Sequence, residues 1–189
     1  MSGIVGSRFN IRGSGLVGSL GTDGQVFTSS GAGAGAVFEA AAGGDNTPAF
    51  MATATSEQAF SDDTITKMQF GTELYDTDST YSSDRFTPAV AAKYQIFGTV
   101  DMTGDGDYQR LDMLRVYLYK NGSSLNFWTF DFRTGTTPTA VISFPCSFNT
   151  VVDADDDDYY EVYGYADTRT VSPKTNDIHT LFGAYKIIT

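Results

Sequence analysis

Glycine is spread very unevenly along this chain of 189 residues, and that unevenness limits what each part of it can fold into. The first 44 residues hold 12 of the 20 glycines and only four charged side chains. Because glycine loses much backbone entropy on folding and adds no packing surface, such a segment cannot build a core of its own. The sequence therefore predicts an arm over residues 1–45 that becomes ordered against a partner, and one domain over residues 46–189.

The arm carries a few dispersed apolar side chains, too few for a core but too many for a fully solvated linker. A turn is expected at Asp23-Gly24, since this pair readily adopts the positive φ angles of a tight turn, and a short strand should follow it. A G-x-G-x-x-G spacing at residues 13–18 runs into more glycine instead of a helix, which argues against a dinucleotide site. The side chains predicted to attach the arm to its partner are Leu16, Val17, Leu20, Val26 and Phe27.

The net charge of −11 limits the partners that this chain can bind. The summed negative field repels phosphates and anionic lipid headgroups, so neither nucleic acid nor a membrane is expected as a partner. No run approaches ~18 apolar residues and the N-terminus lacks the features of a signal peptide, so the protein should be made in a cytoplasm and stay soluble. The single cysteine, Cys146, excludes an intrachain disulfide and is expected to be a buried apolar residue.

Two alternating runs of apolar and polar residues meet at Asn121-Gly122, which is the strongest hairpin signal in the chain. No segment shows the period of an amphipathic helix. The body is therefore predicted to be all-β. Its further strands are expected at residues 49–55, 66–70, 93–100, 140–144, 159–166 and 179–188.

The hairpin over residues 110–132 carries apolar side chains on both of its faces. One face of its first strand is aliphatic, and the other carries tyrosines where a solvent-facing side would usually carry charges. Its second strand has apolar residues of both parities, so either a bulge interrupts it or both of its faces are covered. We expect one face to meet the domain core and the other a neighbouring subunit. The residues predicted to form this trimer interface are Tyr117, Tyr119, Trp128 and Phe130.

Residues 153–158 place five carboxylates within six positions, immediately before a predicted strand. One interpretation is a calcium loop with Asp153, Asp155 and Asp157 as ligands, since calcium takes several oxygen ligands from loops. Successive residues of an extended chain point to opposite sides, so about two or three of them could meet one ion. The other interpretation, a solvated acidic loop that discourages aggregation, is favoured. Apart from this ion, no cofactor is expected.

The sequence offers little for catalysis. His179 is the only histidine, so a Ser-His-Asp or Cys-His arrangement would have to use it. It falls within the last predicted strand, where an ordinary strand residue is the favoured interpretation. The chain is therefore predicted not to be an enzyme.

Six segments of the body resemble, in order and spacing, the strand signatures of the C1q/TNF-like family. The resemblance covers almost the whole body and implies a ten-stranded jelly roll of two five-stranded sheets that assembles as a compact homotrimer. The segments are FMATA (50–54), TKMQFGTELYD (66–76), RFTPAVAAKYQI (85–96), LYKNG (118–122), DYYEVY (158–163) and FGAYKI (182–187).

The arm segment GSLGTDGQVFTSSG (18–31) resembles short modules of tailed-bacteriophage virion proteins, especially fibre and appendage proteins of marine phages. A glycine-rich linker is the alternative for this segment. The resemblance implies a virion structural protein, assembled in the host cytoplasm and held by its arm to the major capsid protein or another virion protein. A capsid decoration protein or short head fibre is favoured slightly over a receptor-binding tail fibre.

A carbohydrate-binding or ligand-binding C1q-like module without assembly duties is the alternative from a different class. For that module, and for a tail fibre, a host surface glycan would be the partner.

Overall fold

The computed structural model describes residues 22, 25–29, 36–40, 46–59, 61–104, 111–133, 141–168, 174–175 and 179–187. Every helix or strand within these ranges is a β-strand. The chain divides into two compact units, residues 1–44 and 45–189, and each is described by itself.

The described part of the first unit is a two-stranded hairpin. Strand β1 (Gln25–Ser29) pairs antiparallel with β2 (Ala36–Ala40), and Phe27 lies opposite Phe38 with ring centroids 5.0 Å apart. Half of the Phe27 side chain remains exposed.

The sequence predicted the first strand of this hairpin but not the second. Of the five predicted attachment residues, Val26 and Phe27 lie on β1 and are exposed. Leu16, Val17, Leu20 and the turn at Asp23-Gly24 lie outside the described residues. Attachment through these side chains therefore stays a prediction.

The second unit is built from two antiparallel sheets, which we name after their longest central strands. The β8 sheet has the strand order β11-β8-β14-β3-β5, with β13 beside β8, and the β9 sheet has the order β10-β9-β12-β7-β6, with β4 beside β12. The predicted all-β sandwich of two antiparallel sheets is confirmed, and each sheet has six strands instead of the predicted five because a two-residue strand, β13 or β4, pairs beside a long one. The strand bounds are β3 (Ala49–Thr53), β4 (Thr66–Lys67), β5 (Thr72–Asp76), β6 (Tyr81–Ser82), β7 (Arg85–Phe86), β8 (Ala92–Thr103), β9 (Leu111–Lys120), β10 (Ser123–Asp131), β11 (Ser143–Ala154), β12 (Tyr160–Thr168), β13 (Lys174–Thr175) and β14 (Leu181–Lys186).

The core lies between the sheets because alternate residues of each long strand point inward. At its centre, the ring of Phe50 stacks on Phe86 at 4.8 Å and meets the edge of Phe182 at 5.0 Å. All three side chains are fully buried. Burial of each ring stabilises the folded protein by about 1.5–3 kcal/mol relative to an exposed side chain, so this cluster of rings is a major source of stability.

The hairpin of β9 and β10 forms as predicted, with positive φ angles at Asn121 (52°) and Gly122 (77°). Its pairing register shifts between Ser124 and Asn126, where Leu125 is the extra residue of a β-bulge. Of the two explanations that the sequence left open for the mixed parity of β10, the bulge is therefore present. Beyond it, every side chain of β10 faces the side opposite to the one that uninterrupted alternation would give.

Candidate functional site

The outer surface of the β8 sheet is uncharged across four adjacent strands, β11, β8, β14 and β3. Among the described residues of these four strands, charged side chains stand at the two ends of the surface, with Lys93 and Asp153 at one and Asp101, beside His179, at the other. We call this surface the uncharged face. Its outward residues are Ala49, Met51, Thr53, Gln95, Phe97, Thr99, Ser147, Asn149, Val151, Leu181, Gly183 and Tyr185.

An aromatic pair lies at the centre of the uncharged face. The rings of Phe97 and Tyr185 are 6.2 Å apart, and Phe97 lies across Gly183 of the neighbouring strand. A Cβ atom at Gly183 would come within 2.7 Å of the Phe97 ring, so only glycine lets this ring lie flat on the sheet. Tyr185 is 36% exposed and Val151 is 53% exposed. The face thus presents apolar surface to its surroundings.

A face without charges is unusual on a chain with a net charge of −11. An antiparallel sheet that has water on one side normally alternates apolar and polar residues, with charges among the outward ones. Depletion of charge together with aromatic residues is typical of the centre of a protein interface. The uncharged face is therefore the strongest candidate for an interaction surface in the described part of the chain.

The outer surface of the β9 sheet has a different character, and we call it the tyrosine face. The rings of Tyr119 and Tyr163 lie 4.2 Å apart, and Tyr117 contacts Phe127 at 5.8 Å. Arg85 lies 3.9 Å above the ring of Tyr159. Charges and aromatic rings are mixed here, as on a surface that faces water.

Glu161 pairs the cations of the tyrosine face. Its carboxylate is buried and lies 2.9 Å from both Lys67 Nζ and Arg85 Nη2, and the Tyr163 hydroxyl donates to it at 3.2 Å. Burial alone would raise the pKa of Glu161, but the hydrogen bonds from Lys67 and Arg85 outweigh it and hold the pKa below its usual value. Lys67, Arg85 and Glu161 are thus paired with one another within the chain.

The four residues predicted to form one trimer interface lie on different sides of the domain. Tyr117 and Tyr119 belong to the tyrosine face. Trp128 packs against Phe148 at 5.2 Å, and the ring of Phe130 lies 4.6 Å from Phe144, so both point toward the interior. The bulge on β10 is the reason, because it reverses their parity. The structure therefore does not bring all four together on one surface of the chain, and the part of each in assembly stays a prediction.

The acidic segment belongs partly to strand β11 and partly to a turn. Asp153 is exposed and pairs with Lys93 at 2.8 Å, while Asp158 is buried and contacts Lys120 Nζ at 2.6 Å. Burial opposes ionisation of Asp158, but Lys120, the Asp155 backbone and Asn121 hold its pKa below the usual value. Asp158 thus fastens this turn to the hairpin of β9 and β10.

Within one chain, Asp153, Asp155 and Asp157 do not bring their carboxylate oxygens together. Asp153 points away from the turn toward Lys93, and Asp155 and Asp157 are exposed. A calcium site made from several copies of this loop stays a prediction.

The structure brings together a different set of carboxylates, which the sequence analysis missed. Oxygen atoms of Asp62, Asp63 and Asp167 lie within 4.8 Å of one another. Burial, followed by the charges of Asp63 and Asp62, raises the pKa of Asp167. Asp62 accepts hydrogen bonds from the backbone and hydroxyl of Thr168, and Asp63 accepts one from the Tyr165 hydroxyl. These contacts join the loop before β4 to strand β12, and only the sheet register could have revealed them.

The surroundings of His179 and Cys146 bear on whether either residue could act in catalysis. His179 Nδ1 lies 3.1 Å from Asp101 Oδ2, and the Ser143 hydroxyl donates to the other oxygen of the same aspartate. The aspartate stands between serine and histidine, so the histidine is not placed to take a proton from this serine. Burial raises the pKa of the Cys146 thiol to about 12, which leaves no thiolate for nucleophilic attack. Among the described residues there is also no helix that could cross a membrane.

Comparison with known proteins gives a likeness in structure alone. No protein-family model and no curated protein matches the chain. The globular domain of zebrafish complement 1qA superposes with a TM-score of 0.53 at 14% identity, covering 75% of this chain and 98% of that one. The domain is a C1q/TNF-like jelly roll.

Two TNF-type structures have the same fold. Eiger TNF from S. frugiperda matches with a TM-score of 0.52 at 11% identity, over 74% of this chain and 92% of that chain. Murine APRIL matches with a TM-score of 0.52 at 10% identity, over 74% and 98%. At these identities the C1q/TNF-like jelly roll is shared, and function must be argued from the surfaces of this chain.

Proposed function

We propose that this protein is a trimeric structural protein of a tailed-phage virion, a capsid decoration protein or short head fibre. Its jelly-roll domain would assemble through the uncharged face, and its arm would hold it to the major capsid protein or another virion protein. In this role the domain has no catalytic activity.

The uncharged face is the observation that carries the proposal. Burying its exposed apolar side chains in a neighbouring subunit removes them from water at no cost in desolvated charge. The domain retains the C1q/TNF-like fold, and the sequence resemblance to that family implies a trimer. The tyrosine face, where Glu161 pairs with Lys67 and Arg85, then remains toward solvent.

The arm supports the placement on a virion. Its segment 18–31 resembles modules of tailed-phage appendage proteins, and the hairpin of β1 and β2 leaves Val26 and Phe27 exposed. A short segment with few core contacts and exposed apolar side chains is suited to binding along another protein.

Labelling intact virions of the phage that encodes this chain would test the proposal. We expect an antibody against residues 46–189 to label the head, and an arm-deleted protein to be absent from purified particles. Label confined to the tail would favour a receptor-binding tail fibre. Particles without label, from cells that make the protein, would overturn the virion assignment.

A carbohydrate-binding module is the second candidate, and the tyrosine face favours it. Tyr119, Tyr163 and the Arg85–Tyr159 pair present rings on which a host surface glycan could stack. Binding of the full-length protein to a glycan array, lost in Tyr119→Ala and kept in Tyr185→Ala, would support this function.

A further inference from the structure

The two sheets separate at one edge of the sandwich and leave a cleft. Strands β10 and β11 are the edge strands of the two sheets, and aromatic rings close most of the gap between them. Trp128 packs on Phe148, and Phe130 packs on Phe144. One inward position further along each strand, the facing residues are Asn126 and Thr150. These side chains are too small to meet, and a cavity of about 290 Å³ opens beside them.

An unpaired polar group lies in the wall of this cleft. Tyr160 lines the cavity and is fully buried, and its hydroxyl, beside the Lys120 ammonium, finds no acceptor among the described residues. Most buried hydroxyl groups in proteins donate a hydrogen bond, and one that does not donate destabilises the fold. Phenylalanine would fill the same space without this cost, so the hydroxyl calls for an acceptor that is not part of the chain.

The other groups of the cleft define what such an acceptor would be. Lys120 points to the cavity with its charge already neutralised, since its ammonium contacts Asp158 at 2.6 Å and the Asp153 carbonyl at 3.3 Å. Thr150 adds a hydroxyl, and Leu125 and Val152 provide an apolar wall. On a protein this acidic, a second anion in the cleft would be repelled. The cleft therefore suits a neutral group with one strong acceptor beside a small apolar part.

We propose that this cleft binds the acetamido group of a small neutral ligand. The carbonyl oxygen would accept hydrogen bonds from Tyr160, Lys120 and Thr150, and the methyl group would contact Leu125 and Val152. Two sources share this chemistry, an N-acetylhexosamine of a glycan and an acetylated lysine side chain. The proposal does not rest on the virion assignment, because it concerns one protomer and its own cleft.

Ligand-observed saturation-transfer NMR on the full-length protein would test the proposal. The probes are N-acetylglucosamine and N-acetyl-lysine amide, with glucose as the neutral probe that lacks the acetamido group. We expect the acetyl methyl protons to receive the largest saturation and glucose to receive none. The acetylated probe that receives the stronger saturation identifies the source. Equal signals from glucose, or no signal from either acetylated probe, would overturn the proposal and leave a cleft that holds water only.

Variants separate binding in the cleft from binding elsewhere. Asn126→Phe continues the aromatic row into the cavity and should abolish the signal while raising the melting temperature. Thr150→Val should raise the Kd about tenfold, whereas Thr129→Val, on the outward side of β10, should leave it unchanged. Unchanged binding by Asn126→Phe would overturn the proposal.

The variant Tyr160→Phe separates a role in ligand binding from a purely structural role, because its Kd and its melting temperature are measured side by side. Because the hydroxyl donates to no acceptor among the described residues, its removal should leave the melting temperature nearly unchanged and should raise the Kd about tenfold. A loss of stability with unchanged Kd would show that the hydroxyl acts in folding, and would contradict the proposal.

Discussion

At the scale of single residues, Glu161 shows how a buried carboxylate can stay ionised on a strand without destabilising the fold. Its carboxylate has left water almost completely, which by itself opposes ionisation. Two cations and a tyrosine hydroxyl replace the lost hydration. The alternation of the strand predicts that Glu161 faces away from the core, but Lys67 and Arg85 come from other strands, so its partners were not readable from the sequence.

This arrangement predicts a pH-dependent contribution to stability. Since the folded protein lowers the pKa of Glu161, its stabilisation is present above the pKa of an unfolded glutamate and is lost as the pH falls through the folded pKa. We expect Glu161→Gln to lower the free energy of unfolding near neutral pH by about 1–3 kcal/mol. Below pH ~4 the difference from wild type should shrink, and it should disappear once the pH is below the folded pKa, because both chains then carry a neutral side chain.

Urea denaturation at the two pH values measures this effect. Glu73→Gln is the matched control, because Glu73 is exposed on β5. A deficit of Glu161→Gln that stays the same at both pH values would show that the carboxylate charge does not stabilise the fold.

At the scale of elements, the bulge at Leu125 decides which side chains of β10 enter the core. With the extra residue present, Trp128 lies opposite Val116 and Phe130 opposite Leu114, both inward positions of β9. The mixed parity in the sequence pointed to an irregularity. Alternation alone could not separate a bulge from a strand covered on both faces, because that depends on which residues of β9 are paired.

Deleting Leu125 should therefore damage the fold far more than truncating it. The deletion shifts the register by one residue and turns Trp128 and Phe130 toward solvent. We expect a loss of about 3 kcal/mol or more, seen as a large drop in melting temperature. Leu125→Ala keeps the chain length and removes a half-exposed side chain, so it should cost less than about 1 kcal/mol. A deletion variant that melts like wild type would show that the bulge is dispensable.

Long strands were predicted more accurately than short ones. Strands β3, β8, β9, β10, β12 and β14 lie where alternation or a hairpin turn placed them. The strand predicted at residues 140–144 is instead β11, which runs from Ser143 to Ala154 because it pairs with β8 along its whole length. The predicted strand at 66–70 shrinks to two residues. The sequence analysis did not predict strands β5, β6, β7 and β13. These strands are two to five residues long and form because they pair with neighbouring strands, so they leave little pattern in the sequence.

At the scale of the whole molecule, the two outer faces differ in a way that the sequence could show only in part. The run from Gln95 to Thr99 alternates, and its outward residues are uncharged. Nothing in that run tells which residues of β14, β3 and β11 lie beside it. The fold had to bring four separated strands together before an uncharged surface could be recognised.

Assembly through this face predicts unequal effects of two matched substitutions. Tyr185→Lys places a charge at the centre of the uncharged face and should convert the trimer into monomers at micromolar concentration, because an unpaired charge is costly to bury. Tyr117→Lys, on the tyrosine face, should leave the trimer intact. Sedimentation velocity on the full-length protein measures both, and circular dichroism checks that each variant folds. Dissociation by Tyr117→Lys alone would assign the interface to the tyrosine face, and a folded wild-type monomer would contradict trimerisation.

The pairing of β3 with β14 has a practical consequence. The chain enters the domain at Ala49 directly beside Tyr185, where it is about to leave, and the backbone of Lys186 donates to the Pro48 carbonyl at 3.1 Å. A cargo attached directly behind residue 187 would therefore start at the same end of the domain as residue 46. It would crowd a second cargo attached at residue 46 in place of the arm, whereas an insertion in an exposed turn far from this pair would project a cargo away from both.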